Sequence, residues 1–324
     1  MDSKAVISLL GQDWSKMNDL LRSTLSSDVQ LLDDINQSVL SNSGKMLRPV
    51  LTLLFARICS NGETNEESVR MAAAVEVLHN ATLLHDDVAD EAMTRRGTPT
   101  VRSRLGPVPA VLVGDFWLAS AVSLLEDVSV SKWTLKEFSS TLVNLAEGEM
   151  LQQQKAFQSD TTVEDYLRII FCKTASLFVT ACEAGVKSVK ASEELLEAAG
   201  RYGRALGMAF QIRDDILDYA GDENTGKPVG IDIKEQKITL PLLGVLSTTS
   251  DEAAWRQMIH NIPANPHYIA CIRDFVLDNG GVEFASEKLE EYVAEALDAL
   301  ELFPDSPEKE VLTMIARDSA VRTK

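Results

Sequence analysis

From Met71 to Gly97 the chain reads MAAAVEVLHNATLLHDDVADEAMTRRG, an apolar, Ala-rich run with no Gly or Pro before Gly97. Such a composition specifies a long helix and leaves little room for a strand. Its end carries Asp86, Asp87 and Asp90, and on a helix Asp86 and Asp90 stack on one face a turn apart. Stacked carboxylates repel each other unless a cation lies between them. Hard oxygen ligands of this kind suit Mg²⁺, which takes one or two carboxylates and completes its shell with waters and substrate phosphate. Arg95 and Arg96 follow at once, and the guanidinium fork is the side chain best shaped for phosphate. Taken alone, DDVAD reads equally well as a solvated helix end. Asp33-Asp34, also beside leucines, has no third acid and no arginine pair, and reads as plain surface.

A second copy separates the two readings. Residues 210–219 are FQIRDDILDY, which places Asp214, Asp215 and Asp218 at the same spacing inside another apolar helix. Six carboxylates brought together across a cleft would be strongly destabilising without compensation. Divalent ions bridged by a pyrophosphate would satisfy both sides, so the expectation is two acidic helix ends confronting each other with magnesium and a diphosphate between them.

The remaining chain is helical in pattern, without a sustained alternating strand, and the class is all-α over one domain, 1–324. Residues 1–38 carry a leucine stripe that suits a docking helix or helix pair, and SNSGKMLRP leads into a helix with Pro49 in its first turn. Lys45 and Arg48, at i and i+3, can converge on one anion. The spacing predicts a motif helix over 66–91, a Gly/Pro-rich loop over 97–110 and an apolar helix over 108–127. That last segment approaches membrane length, yet Asp115 at mid-span makes it a buried core helix and not a transmembrane span. A polar turn is expected at Gly148–Gln152, then a helix in which Lys173 and Thr174 sit in an apolar run, where a lysine is costly unless it meets an anion. Gly200, Gly203 and Gly207 imply close helix packing, and GDENTGKPVGIDIKEQKITLP suits a lid carrying three lysines. The tail, 251–324, predicts two more amphipathic helices and holds no evident chemistry.

A net charge of -18 argues against nucleic acid as a partner, since a phosphate backbone needs a basic surface. Four cysteines without metal-like spacing suggest reduced, buried thiols in a cytoplasmic protein, and MDSKAVISLLGQDW has neither the basic region nor the cleavage site of a signal peptide.

GKMLRP at 44–49, LLHDDVADEAMTRRG at 83–97, KTA at 173–175, FQIRDDILDY at 210–219 and GKPVGIDIKEQKITLPLL at 226–243 together resemble the trans-isoprenyl diphosphate synthases, or polyprenyl synthetases. The resemblance implies a large helical bundle around a central cavity, a homodimer, and condensation of an allylic prenyl diphosphate with isopentenyl diphosphate. It implies three Mg²⁺ held chiefly by Asp86, Asp90 and Asp214, with Asp87, Asp215 and Asp218 supporting directly or through water. It assigns Arg95, Lys173, Gln211, Lys227 and Lys237 to the allylic diphosphate, with Thr174 close to the cation. Lys45, Arg48, His79 and Arg96 fall to isopentenyl diphosphate, and Met46 stands where the family usually has another basic residue. The growing tail is expected to pass Thr82, Ala81 and Leu78. The first two are small where short-chain relatives carry aromatics, which implies a product of C30 or longer, a quinone side chain released at a membrane surface. The rival readings are a short-chain farnesyl or geranylgeranyl diphosphate synthase, a class I terpene cyclase, a regulatory subunit of a heteromeric synthase, and an HD-type metal phosphohydrolase built on His79 and His85-Asp86.

Overall fold

The computed structural model describes residues 3–126, 128–221 and 229–321. The elements in order are α1 (Ser3–Thr24, kinked at Gly11), α2 (Gln30–Ser41), α3 (Leu47–Ile58), α4 (Glu66–Ala89), β1 (Thr94–Arg95), β2 (Thr98–Pro99), α5 (Val101–Leu105), α6 (Pro107–Glu126) and α7 (Ser131–Gln158). Next come α8 (Val163–Ile170), a π-helical turn (Phe171–Ala175), α9 (Ser176–Ser188), α10 (Glu193–Ala220), α11 (Ile231–Lys234) and α12 (Leu240–Leu246). The tail holds α13 (Glu252–His260), α14 (Tyr268–Asp278), α15 (Gly281–Ala299), a 3₁₀ turn (Leu300–Leu302) and α16 (Pro307–Val321). Among the described residues the only strands are β1 and β2, which pair antiparallel through Thr94–Pro99 and Arg95–Thr98. The protein is all-α.

Three local expectations are corrected. Residues 97–110 are not a plain loop: Thr100 accepts a hydrogen bond from the Ser103 amide and caps α5, and Pro107 opens α6. Gly148–Gln152 is not a turn but lies within α7. Among the described residues the tail has four α-helices and not two: a polar stretch with Pro263 and Pro266 separates α13 from α14, and α16 follows the 3₁₀ turn after α15. Those two short helices are joined by Trp255 stacked on Phe275 with ring centroids 3.8 Å apart.

The chain packs as two compact units built from discontinuous segments, a division the sequence does not anticipate. The first comprises Met1–Ser139, Thr180–Gly200 and Leu302–Leu312. Here α4 is the central element, buried along most of its length and packed on α6, α3 and α1. Its start is fixed by Asn65, whose side chain accepts from the Ser68 amide, and Ser68 Oγ lies 2.7 Å from Ser188 Oγ. Arg57 ties α3 to α1 and α16 through Asp13 and Glu308, both at 3.0 Å. Asn36 is fully buried and joins α2 to α6: it donates to the Leu25 carbonyl at 2.7 Å and accepts from Trp117 Nε1 at 2.8 Å.

The second unit comprises Ser140–Val179, Arg201–Glu301 and Thr313–Lys324. Gly203 and Gly207 bring α10 against the backbone of 175–179, as their spacing suggests. Phe178 and Phe210 pack beside them with centroids 5.8 Å apart. Helix α12 is wholly buried and lies on α15, and Arg273 of α14 donates to the Tyr219 carbonyl at 2.9 Å.

Among the described residues two stretches are long and apolar enough to cross a membrane by length and composition alone, Pro107–Glu126 and Val163–Ser188. The second is 78% buried in its apolar window and contains Lys173. The first departs from the expected core helix: Trp117, Ala121 and Leu125 face inward, but Val108, Leu112 and Val122 are exposed. Of the cysteines, Cys172 and Cys182 are buried, Cys59 half-buried and Cys271 exposed, and all are free thiols.

Asn36→Ala strands the Trp117 N–H and the Leu25 carbonyl in the core, so it is expected to lower unfolding stability by about 2 kcal/mol; denaturant melts with an unchanged m-value check this.

Candidate active site

In the first unit, Asp86, Asp87 and Asp90 close the C-terminal end of α4, where aligned peptide dipoles already place partial negative charge. Their electrostatic position is therefore doubly unfavourable, and Asp87 is neutralised within the protein. Asp87 is buried and accepts a 2.8 Å hydrogen bond from Arg95 Nε, the arginine being carried back by the β1–β2 hairpin. Asp86 is half-buried; Asp90 is exposed at the C-cap, its amide donating to the Asp86 carbonyl at 2.8 Å.

The loop before α3 and the arginine pair meet one turn further back. Arg48 Nη1 lies 3.1 Å from His79 Nε2. A guanidinium only donates, so this ring nitrogen accepts, and His79 is a neutral imidazole with its proton on Nδ1. Burial, then the charges of Arg48, Arg96 and Arg95, hold its pKa well below the ordinary histidine value. Arg96 donates to the Asn42 carbonyl at 2.9 Å and lies flat on Gly44, where a Cβ would come within 2.6 Å of Nη1. Lys45 is exposed on the same loop. The structure thus assembles Arg48, His79 and Arg96, with Lys45 beside them on the chain, into one basic nest. Next to it a cavity of about 80 Å³ is lined by Asn42, Asn80, Asp87, Arg95, Arg96 and Arg104. His85 turns elsewhere, its Nε2 3.3 Å from both the Val111 carbonyl and Asp115 Oδ1. The two histidines do not converge, which removes the ligand pair on which an HD-type reading depends. Leu78 and Ala81 are buried, and Thr82 is half-buried with its hydroxyl donated to the His79 carbonyl at 2.8 Å.

The second unit carries the other acids, again at a helix C-terminus, that of α10. Asp214 is exposed and 3.0 Å from the neighbouring Arg213. Asp215 is buried with both oxygens occupied, by the Tyr166 hydroxyl at 2.6 Å and by Gln211 Nε2 at 2.9 Å. Thr174 in turn donates to Gln211 Oε1 at 2.7 Å. The oxygens of Asp218 accept the amides of Ile231 and Asp232, both at 3.0 Å, and so pin the start of α11. Lys173 stands on the π turn, where a helix carries an extra residue and its side chains splay. It meets the anion its setting demands, the carboxylate of Glu149. Gly148 makes this possible, because a Cβ there would press to 2.6 Å on Cys172 Cβ and 2.9 Å on Lys173 Cγ. Lys237 pairs with Glu235 at 2.5 Å. A cavity of about 170 Å³ is lined by Gln152, Lys173, Gln211, Asp215, Asp232 and Lys237. Lys227 lies outside the described residues.

Tyr166, Glu149, Asp232 and Glu76 join these clusters without having been singled out from sequence. Asp232 and Glu149 had a signal, Asp232 lying two residues after Gly230 and five before Lys237 and Glu149 directly after Gly148; Tyr166 had none. Among the described residues no three acidic, histidine or cysteine side chains form a closed metal cage. The fit to a divalent cation rests on charge. Burial pushes up the pKa of Asp215, Asp218 and Asp232, in Asp232 to about 6, with Asp218 adding to it and Lys237 opposing. Crowded carboxyls short of positive charge, and made wholly of hard oxygen, suit Mg²⁺.

The comparisons with known proteins agree with this chemistry. Residues 29–274 match the family model for polyprenyl synthetase. The chain is 38% identical to the all-trans-nonaprenyl-diphosphate synthase (geranyl-diphosphate specific) of Rhodobacter capsulatus, over 96% of this chain and 95% of that one. It is 36% identical to the octaprenyl diphosphate synthase of Escherichia coli (strain K12) across 100% of both. The crystal structure of the polyprenyl synthase from Caulobacter crescentus CB15, complexed with calcium and isoprenyl diphosphate, superposes with a TM-score of 0.91 at 33% identity, covering 100% of this chain and 98% of the other.

The raised pKa of Asp232 predicts a pH effect with a definite sign. The folded protein holds this proton more tightly than the unfolded chain between pH 3.8 and about 6, so the carboxyl increasingly disfavours folding as pH rises through that window. Asp232→Asn is expected to raise the melting temperature of metal-free protein by about 3 °C at pH 7 and to leave it unchanged near pH 4; calorimetry in EDTA at both pH values checks it.

Two acid clusters, a basic nest and a lysine-bearing π turn occur here in a chain matched over most of its length by one family. The chain belongs to the polyprenyl synthetase family and is a prenyltransferase.

Proposed function

We propose that the protein is a long-chain trans-polyprenyl diphosphate synthase that condenses an allylic prenyl diphosphate with isopentenyl diphosphate. The observation that carries the reading is the existence of two separate cationic anchorages, one in each unit. A reaction joining two diphosphates needs two; a terpene cyclase needs one. Retention of both acid motifs speaks against a regulatory subunit.

Lys45, Arg48, His79 and Arg96 would hold isopentenyl diphosphate, with neutral His79 kept from adding a fourth charge by Arg48. Arg95, Lys173, Gln211, Lys227 and Lys237 would hold the allylic diphosphate, and Lys173 would exchange Glu149 for phosphate. Asp86, Asp90 and Asp214 would ligate Mg²⁺, three ions per site, with Asp87, Asp215 and Asp218 behind them. When bound, the metal draws electron density from the departing diphosphate and neutralises it. The allylic C–O bond breaks, the isopentenyl double bond attacks the carbocation to form the new C–C bond, and the displaced proton leaves to the pyrophosphate. Thr174, having given its proton to Gln211, offers only oxygen lone pairs to that cation. The chain itself supplies no nucleophile and no general base.

The product is of C30 or longer, supported by the octaprenyl and nonaprenyl relatives and by small side chains at Ala81 and Thr82. A cytoplasmic enzyme releasing such a product at a membrane surface is the corresponding setting. A homodimer is supported by the exposed apolar residues Val143, Met150 and Phe157, which recur every seven residues on α7.

Purified protein with Mg²⁺, labelled isopentenyl diphosphate and farnesyl diphosphate should yield prenyl products of at least thirty carbons, and none after EDTA; release of phosphate without chain growth overturns the reading. Ala81→Phe overfills the path of the tail and should shorten the product by two or more five-carbon units, read by reversed-phase chromatography. Unchanged products would remove Ala81 from that path. Met150→Glu combined with Val143→Glu is expected to halve the mass seen by light scattering.

A further inference from the structure

Glu76 lies on α4, ten residues before Asp86 and in none of the roles above. Its side chain is 1% exposed. Oε1 accepts from Asn80 Nδ2 at 2.8 Å, while Oε2 is buried with no hydrogen-bond partner. A buried carboxyl with an idle oxygen is expensive, and an apolar residue would pack the same helix at lower cost. Its retention calls for a partner that is charged. Glu76 precedes His79 by three residues, so the two share a face of α4 one turn apart. His79 meets Arg48 at 3.1 Å, which brings the guanidinium to that same turn. Burial raises the Glu76 pKa on balance, and Asn80, Arg48 and Arg96 oppose the rise. Reciprocally, Arg48 is pushed down to about 10 by burial, with Glu76 opposing. Two arginines gathered without an anion would repel each other.

We propose that Glu76 is a positioning residue of the isopentenyl diphosphate site, the buried counter-charge against which the Arg48 guanidinium is set, with Arg96 beyond it, before substrate arrives. The proposal rests on the assignment of Arg48, His79 and Arg96 to that substrate. Glu76 does not touch the diphosphate; it fixes the direction in which Arg48 meets it. A glutamine in its place keeps the volume and the bond from Asn80 but removes the negative charge.

The test is steady-state kinetics of full-length Glu76→Gln and Glu76→Asp enzymes, each substrate varied at saturating levels of the other. Glu76→Gln is expected to raise KM for isopentenyl diphosphate by about ten- to a hundredfold, the range for leaving a buried charged group without its counter-charge. KM for the allylic primer and product length should stay as in the parent, and Glu76→Asp should recover part of the loss. Melting curves should show Glu76→Gln folded at the assay temperature, so that the change in KM is read on native enzyme. An unchanged KM for isopentenyl diphosphate, or equal rises in both KM values, overturns the proposal. Calorimetric titration with isopentenyl diphosphate alone separates this from the catalytic reading, because it needs no turnover. Equal affinity of parent and Glu76→Gln sinks Glu76 whatever the products are, whereas a parent that binds but never elongates sinks the synthase instead.

Discussion

Carboxylates at helix C-termini are the constraint around which the rest is arranged. A helix welcomes anions at its start and cations at its end, yet α4 and α10 both finish in three aspartates. Packing holds these ends in place against their own repulsion: α4 is buried along most of its length, and α10 is pressed against 175–179 through Gly203 and Gly207. The deficit is then made up unevenly. Within each motif the inner acids are satisfied by protein donors, Asp87 by Arg95, Asp215 by Tyr166 and Gln211, and Asp218 by two backbone amides. The exposed members, Asp90 and Asp214, stand furthest out. Each motif is thus graded, with a rigid inner layer and an outer layer suited to a divalent cation.

The cationic groups are organised by the same logic, each parked on a local acceptor. Lys173 rests on Glu149, Lys237 on Glu235, Arg95 on Asp87 and Arg96 on a backbone carbonyl. Half-exposed pairs of this kind are worth little and exchange readily. A diphosphate, with more charge and more oxygens than a single carboxylate, competes well for them.

The helical class and the residues of the two clusters were legible because they depend on composition and on spacing along one helix. Asp86 with Asp90 and Asp214 with Asp218 follow from the 3.6-residue period, and Arg95-Arg96 from their adjacency in the chain. What depended on contacts between distant segments was not legible. Tyr166 reaches Asp215 across 49 positions, and nothing in VEDYLRII marks it. Glu76 looks like a tolerated polar residue in an apolar helix until Arg48 is placed near it. The exposed face of α6 was missed for a related reason: mean hydropathy reports how apolar a helix is, and not which of its sides is covered. Residues 97–110 were misread because Gly and Pro outweighed the Thr100 cap.

The π turn at Phe171–Ala175 has a geometric corollary for heredity as well as chemistry. One surplus residue advances a helix by about 100°, so the faces of α8 and α9 are offset, and Tyr166 and Thr174 reach the two ends of a single Gln211–Asp215 relay. Lineages that lose or gain a codon here would rotate one half of the relay out of reach while leaving every side chain in it intact. Length is thus constrained in this stretch alongside the identities of Lys173 and Thr174.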